Sequence, residues 1–201
     1  MIQTADIISN SALICAKAAN EPVFSHEAFG IKFYGFDAVC ERRSEKKDII
    51  RCIAAQDVIG EVDTDKHKIY CGQIRSHNAI IDGNGRLLIN VFVKAVSDEV
   101  TDMTANEIIL CGFICKRPAY RVTPFGREIA DMLVAVNRSF GRSDYIPVIA
   151  WGQNARRAGK MEVGQRVYAE GRLQSREYEK RLADGSTVKR TAYEVSAYAL
   201  V

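Results

Sequence analysis

The chain has 201 residues, 47% of them apolar and 26% charged, with a formal net charge of +3. That length holds one large domain or two small ones, and the composition is that of a packed, soluble globular protein. No apolar run approaches the roughly 20 residues of a membrane helix. Met1–Asn10 lacks the basic-then-apolar pattern of a secretion signal, so no membrane association and a cytoplasmic location are expected.

Taken in chain order, the sequence repeats itself. Asn10–Ala55 aligns with Asn106–Trp151 at an offset of 96 without a gap. Ten of the 46 positions are identical, among them Asn10/Asn106, Pro22/Pro118, Gly30/Gly126, Arg42/Arg138, Asp48/Asp144 and Ala54/Ala150. The match resumes near an offset of 99, pairing Tyr70 with Tyr168, Gly72 with Gly171 and Ser76 with Ser175. After a further slip it sets Asp82-Gly83 against Asp184-Gly185 and Val93 against Val195. Such a register predicts two domains, 1–100 and 105–201, joined by the polar, acidic stretch Ser97–Thr104.

Each copy reads as five strands. In the second these are Ile108–Cys115, Glu128–Asn137 after a Pro-Phe-Gly turn, Tyr145–Trp151, Arg166–Tyr178 and Ala192–Leu200. Gln153–Met161, bounded by Gly152 and Gly164, favours a short helix between the third and fourth strands. The expectation is an all-β chain of two tandem five-stranded OB-fold barrels, each with a short helix or turn between strands 3 and 4. Strand spacing alone also admits another kind of small barrel.

The charge is unevenly spread. Residues 1–104 hold 12 Lys and Arg against 15 Asp and Glu, whereas residues 105–201 hold 16 against 10. Only the basic half invites a polyanion. Binding a single nucleic-acid strand needs cations for phosphates and aromatic faces for bases. Strand alternation puts Tyr145 and Trp151, the only tryptophan, on one side of their strand. On the next strand it puts Tyr168, Glu170, Arg172, Gln174, Arg176 and Tyr178 opposite a small, apolar face. Taken singly, Tyr145 and Trp151 also fit a core, the usual place of strand aromatics. Cations tip the balance toward a surface: Arg138 and Arg142 flank Phe140, and Lys180, Arg181, Lys189 and Arg190 flank the turn Ala183-Asp184-Gly185.

These residues carry a resemblance. Asn106–Gly112, Arg117-Pro118, Arg121–Gly126, Leu133–Arg138, Asp144–Gly152 and Glu170–Arg176 occur in the order seen in the bacterial single-stranded DNA-binding protein (SSB) family, which residues 106–201 closely resemble. The resemblance implies an OB barrel, base stacking at Phe140, Tyr145, Trp151 and Tyr178, and a homo-oligomer carrying four barrels. Two chains of two barrels would supply that number. It also implies a bacterial, nucleoid-associated protein of replication, recombination or repair. The chain departs from the family in having two barrels, and in ending at Ala199-Leu200-Val201, so recruitment of partners through an acidic tail is not expected.

In the first copy the four stacking positions are Ser44, Ile49, Ala55 and Ala79. Lys116, Arg117, Arg121 and Arg127 become Asn20, Glu21, Ser25 and Ile31, whereas Arg138 keeps its cation, as Arg42. The first barrel is therefore expected to serve structure or assembly, and the second to bind single-stranded DNA. The nucleic-acid residues expected are Phe140, Tyr145, Trp151, Tyr178, Lys116, Arg117, Arg121, Arg127, Arg138, Arg142, Arg172 and Arg176. A protein-interaction OB module, such as a primosome accessory factor, is the alternative. No enzyme is expected, since His26, His67 and His77 all lie in the acidic half and no carboxylate cluster stands out. No cofactor or metal is expected either: there is no Cys-x-x-Cys, and Cys15, Cys40, Cys52, Cys71, Cys111 and Cys115 read as buried free thiols.

Overall fold

Strand alternation in the sequence becomes alternate burial in the fold. The computed structural model describes residues 9–81, 83–181 and 185–201. The first half forms β1 (Asn10–Ala18), β2 (Val23–Ala28), β3 (Ile31–Glu41), β4 (Lys47–Ala55), the single turn α1 (Gln56–Ile59), β5 (Lys68–Ile81) and β6 (Asn84–Ser97). The second half repeats the order with β7 (Asn106–Ile114), β8 (Ala119–Val122), β9 (Glu128–Asn137), β10 (Ser143–Trp151), α2 (Gly152–Ala158), β11 (Arg166–Arg181) and β12 (Thr187–Leu200).

In each half five strands close a ring. β1 pairs with both β3 and β5, β3 with β4, β4 in parallel with β6, and β6 with β5. β7, β9, β10, β12 and β11 close in the same way, with β10 and β12 parallel. This is the OB-fold order, with the helix between the third and fourth ring strands. The short β2 and β8 lie outside the rings as hairpin partners of β3 and β9. They are absent from the sequence reading because they have almost no buried face, and so show no apolar alternation.

Gly72 and Gly171 occupy equivalent places, each beside a bulge in the fourth ring strand. A Cβ at Gly72 would lie 2.0 Å from the Phe92 carbonyl oxygen, and one at Gly171 2.4 Å from that of Ser196. Only glycine lets the strands approach so closely.

Strand register corrects two pairings of the repeat. Tyr70 lies opposite Ile14 and Ala169 opposite Leu110, so Tyr70 corresponds to Ala169 and not to Tyr168. A slip of one residue exchanges the faces of a strand. Tyr70 accordingly packs in the core against Phe36, with ring centroids 5.4 Å apart, while Tyr168 points outward and donates to Glu170 at 2.6 Å. Likewise Val91 corresponds to Val195, and Val93 to Ala197. Asp82, Ala183 and Asp184 of the expected turns lie outside the described residues, as do residues 1–8. Gly83 and Gly185 both have the positive φ that such turns favour in glycine.

The barrels join through β1 and β7, which pair antiparallel from Asn10↔Leu110 to Ile14↔Asn106. The central pair, Ala12↔Ile108, joins two equivalent residues of the repeat, so a pseudo-two-fold axis passes there. One sheet of twelve strands results, and the buried apolar residues of both halves form one cluster. All six cysteines are unpaired; four are buried and Cys71 and Cys115 half-buried. Burial pushes the Cys40 and Cys52 thiols well above the ordinary thiol range, so they pack as small apolar groups. No helix among the described residues is long and apolar enough to cross a membrane.

Candidate nucleic-acid interface

On β10, Ile146, Val148 and Ala150 pack in the core and Asp144 is buried where the barrels meet, while Tyr145, Pro147 and Trp151 lie on the outer side. Tyr145 is 43% exposed and Trp151 40%. The indole N–H donates to the Ser196 hydroxyl at 3.1 Å, which fixes one edge of the ring and leaves a face open. The Tyr145 backbone N–H donates to the Ser76 hydroxyl of the first barrel at 2.7 Å. Tyr178, on the outer side of β11, is 36% exposed, and the Arg176 guanidinium lies 5.7 Å from its ring centroid. Phe140 is 99% exposed on the turn between β9 and β10, with φ of 62°, beside Gly141 with φ of 66°. Such left-handed backbone costs a non-glycine residue about 1 kcal/mol, and here it lifts the ring away from the barrel.

The expected cations divide into two groups. Arg176, Arg142, Arg127, Lys116 and Arg117 are exposed. Arg176 and Arg142 lie close in the fold to the aromatic positions: Arg176 faces Tyr178, and Arg142 is one residue from β10. Arg127 follows the turn before β9, its N–H donating to the Thr123 hydroxyl at 3.1 Å. Arg117 borders a pocket with Gly159–Val163 instead, beyond the end of α2. Arg121 is paired with Asp131 at 2.8 Å on the outer side of β9.

Arg138 and Arg172 are held by buried carboxylates. Arg138 Nε lies 3.5 Å from Asp144, and Arg172 reaches across the barrels to Asp48 at 3.0 Å. Both aspartates are fully buried. Each aspartate thus meets one cation from each barrel: Asp48 also accepts from Arg42 Nε of its own barrel at 2.8 Å, and Asp144 from Arg75 of the first barrel at 3.0 Å.

Sequence reasoning did not find this clasp or its serines. The pairing of β7 with β11 ends at Gly171, and beyond it Asp48 and Ile49 take up the free edge of β11. Asp48 accepts the Ser175 N–H at 2.8 Å, and the Ile49 N–H donates to the Ser175 hydroxyl at 3.0 Å. Reciprocally, Asp144 accepts the Ser76 N–H at 2.7 Å, beside the bond from Tyr145 to Ser76. The identities Asp48/Asp144 and Ser76/Ser175 were the available signal. Asn10 and Asn106 likewise each bracket a backbone amide, of Ile74 and Leu173 respectively.

Between the barrels runs a groove of about 520 Å³. Asp37, Arg51 and His77 line it from the first, and Pro147, Tyr178 and Tyr193 from the second. Burial, and then the nearby Asp37 carboxylate, raise the Tyr193 hydroxyl above its ordinary range. Among the described residues, no three His, Cys, Asp or Glu side chains gather as they would around a metal ion.

Comparison with known proteins bears on the second barrel and on the fold. Residues 105–200 match the sequence model of the family described as "Single-strand binding protein family". Single-stranded DNA-binding protein 2 of Listeria innocua is 33% identical over 90 residues, covering 41% of this chain and 55% of that protein. Single-stranded DNA-binding protein A of Bacillus subtilis is 35% identical over 81 residues, covering 37% and 47%. The chain thus spans about half the length of the curated relatives it matches. The solved structure of the wild-type single-stranded DNA-binding protein from Thermus aquaticus superposes with a TM-score of 0.76 over 96% of this chain and 91% of that one, at 17% identity. The last likeness shows that the arrangement of both barrels is one found in a solved protein.

Proposed function

From the match of residues 105–200 to the single-strand binding protein family, we propose that the chain binds and protects single-stranded DNA with little regard to sequence, in replication, recombination or repair. The observation that carries this reading is that Tyr145, Trp151 and Tyr178 are all part-exposed on the outer side of β10 and β11, with Arg176 over the Tyr178 ring. Bases stack on such rings whatever their identity, and cations along the path take the phosphates. Phe140 and Arg142 extend the path at the turn before β10. Arg172 acts by holding Asp48 across the two barrels, and Arg138 by holding Asp144, which in turn accepts from Arg75 and Ser76 of the first barrel.

Binding is physical and no bond is made or broken, so no catalytic residue is assigned. Two chains supply four barrels in this reading. Sedimentation equilibrium tests that point: a dimer is expected, and a monomer at micromolar concentration contradicts it.

Alanine at Tyr145 or at Trp151 tests the site. Each stacked base is worth about 1–3 kcal/mol, so each variant should lose roughly 5- to 150-fold in affinity for oligo-dT, with thermal stability little changed. Unchanged affinity in both variants would favour the protein-interaction module instead.

A further inference from the structure

The first barrel has Ala55 where the second has Trp151, but the aromatic surface lost there returns on both neighbouring strands. Phe33 of β3 lies opposite Ala55, and Phe92 of β6 lies opposite Ile53. In the second barrel the same two places hold Ile129, opposite Trp151, and Ser196, opposite Ile149. One large ring flanked by an isoleucine and a serine in one barrel is thus an alanine flanked by two rings in the other.

The Phe33 and Phe92 centroids are 5.9 Å apart with planes tilted 47°. His26, exposed on β2, stacks on Phe33 at 4.9 Å and 15°. The Arg75 guanidinium lies 6.0 Å from the Phe92 centroid, held in place by Asp144 and Gln73. None of the three rings belongs to the barrel core; they lie on its outer side, half-buried or exposed.

We propose that His26, Phe33 and Phe92 form a second base-stacking platform, which takes unpaired bases of the same DNA strand that lies on Tyr145, Trp151 and Tyr178. This inference rests on the single-stranded DNA reading of the second barrel. Two observations specify a nucleic-acid strand as the occupant. A cation stands beside the terminal ring, as Arg176 does beside Tyr178, and Lys94 is exposed two residues beyond Phe92. The platform also adjoins the groove between the barrels: Ile53, opposite Phe92, lines that groove with Arg51, and Tyr178 and Pro147 of the second barrel line its other side. The Asp37 carboxylate in that groove is paired with Arg51 at 3.2 Å, which reduces its repulsion of a phosphate. Position-by-position comparison of the repeats misses the platform, because the replacement rings stand on adjacent strands.

The test uses the full chain and its occluded length on poly(dT), read from Trp151 fluorescence at low salt. OB barrels each occlude about 4–16 nucleotides, so Phe33→Ala/Phe92→Ala should shorten the length by at least about 4, with Trp151 still quenched. An unchanged length with Trp151 quenched overturns the platform and leaves the second site standing. Trp151 unquenched in the unaltered chain overturns the reading beneath it. Should the double variant not fold, Phe92→Trp in a Trp151→Phe background decides. Its emission is expected to be quenched by poly(dT), and emission unmoved at saturation, judged by anisotropy of labelled DNA, overturns the platform.

Discussion

Asp48 and Asp144 each accept a backbone N–H from the opposite barrel, of Ser175 and Ser76 respectively. Each is fully buried, yet each meets two guanidinium groups and a backbone N–H, one or more from the opposite barrel. A buried charge persists only when paired and hydrogen-bonded in this way. The four arginines are about a quarter exposed and can turn to water when a carboxylate is removed, which discounts the loss. Asp48→Ala and Asp144→Ala should each cost about 2 kcal/mol of stability in urea unfolding. Their effects on DNA should differ. Asp144 and the serine it fixes set the backbone of Tyr145, whereas the equivalent neighbour of Asp48 is Ile49. A marked loss of oligo-dT affinity is therefore expected for Asp144→Ala and a much smaller one for Asp48→Ala. Equal losses would mean that the clasp does not discriminate between the faces. The repeat showed both aspartates as identities, but not why they are there. Their partners in the opposite barrel lie more than 60 residues away in sequence, and no local pattern connects them.

At the scale of strands and hairpins, burial decided what could be read. The five ring strands of each barrel were legible because their alternation records a buried side and an outer side. β2 and β8 have almost no buried side and left no such record. The same alternation placed Tyr145 and Trp151 on one face, and distinguished the inward Val167, Ala169 and Leu173 from the outward Arg172, Gln174 and Arg176. It could not say that Arg172 is claimed by the other barrel. Where residue identity was preferred to alternation, as in matching Tyr70 to Tyr168, the pairing slipped by one and crossed the sheet. Register also shows that the β11–β12 hairpin is longer than β5–β6, since equivalent residues are 99 apart on β5 and β11 but 104 apart on β6 and β12. The longer hairpin carries Tyr178 together with Lys180, Arg181 and Lys189, all exposed.

The whole molecule is a pseudo-symmetric pair of barrels with an asymmetric surface. The β1–β7 pairing and the reciprocal clasps make the halves equivalent in architecture. The charge does not follow that symmetry, with 16 basic against 10 acidic residues in the second half and 12 against 15 in the first. Phosphate contacts release counterions, so affinity should fall as salt rises. Single-stranded DNA lying on the outer face of the second barrel, as proposed, would meet the single tryptophan, which stands on that face. Titration of the unaltered chain with oligo-dT, followed by Trp151 emission, therefore reports binding at that face. Saturable quenching that added NaCl reverses is the expected result. Emission that stays unchanged at a DNA concentration where binding is complete would contradict it.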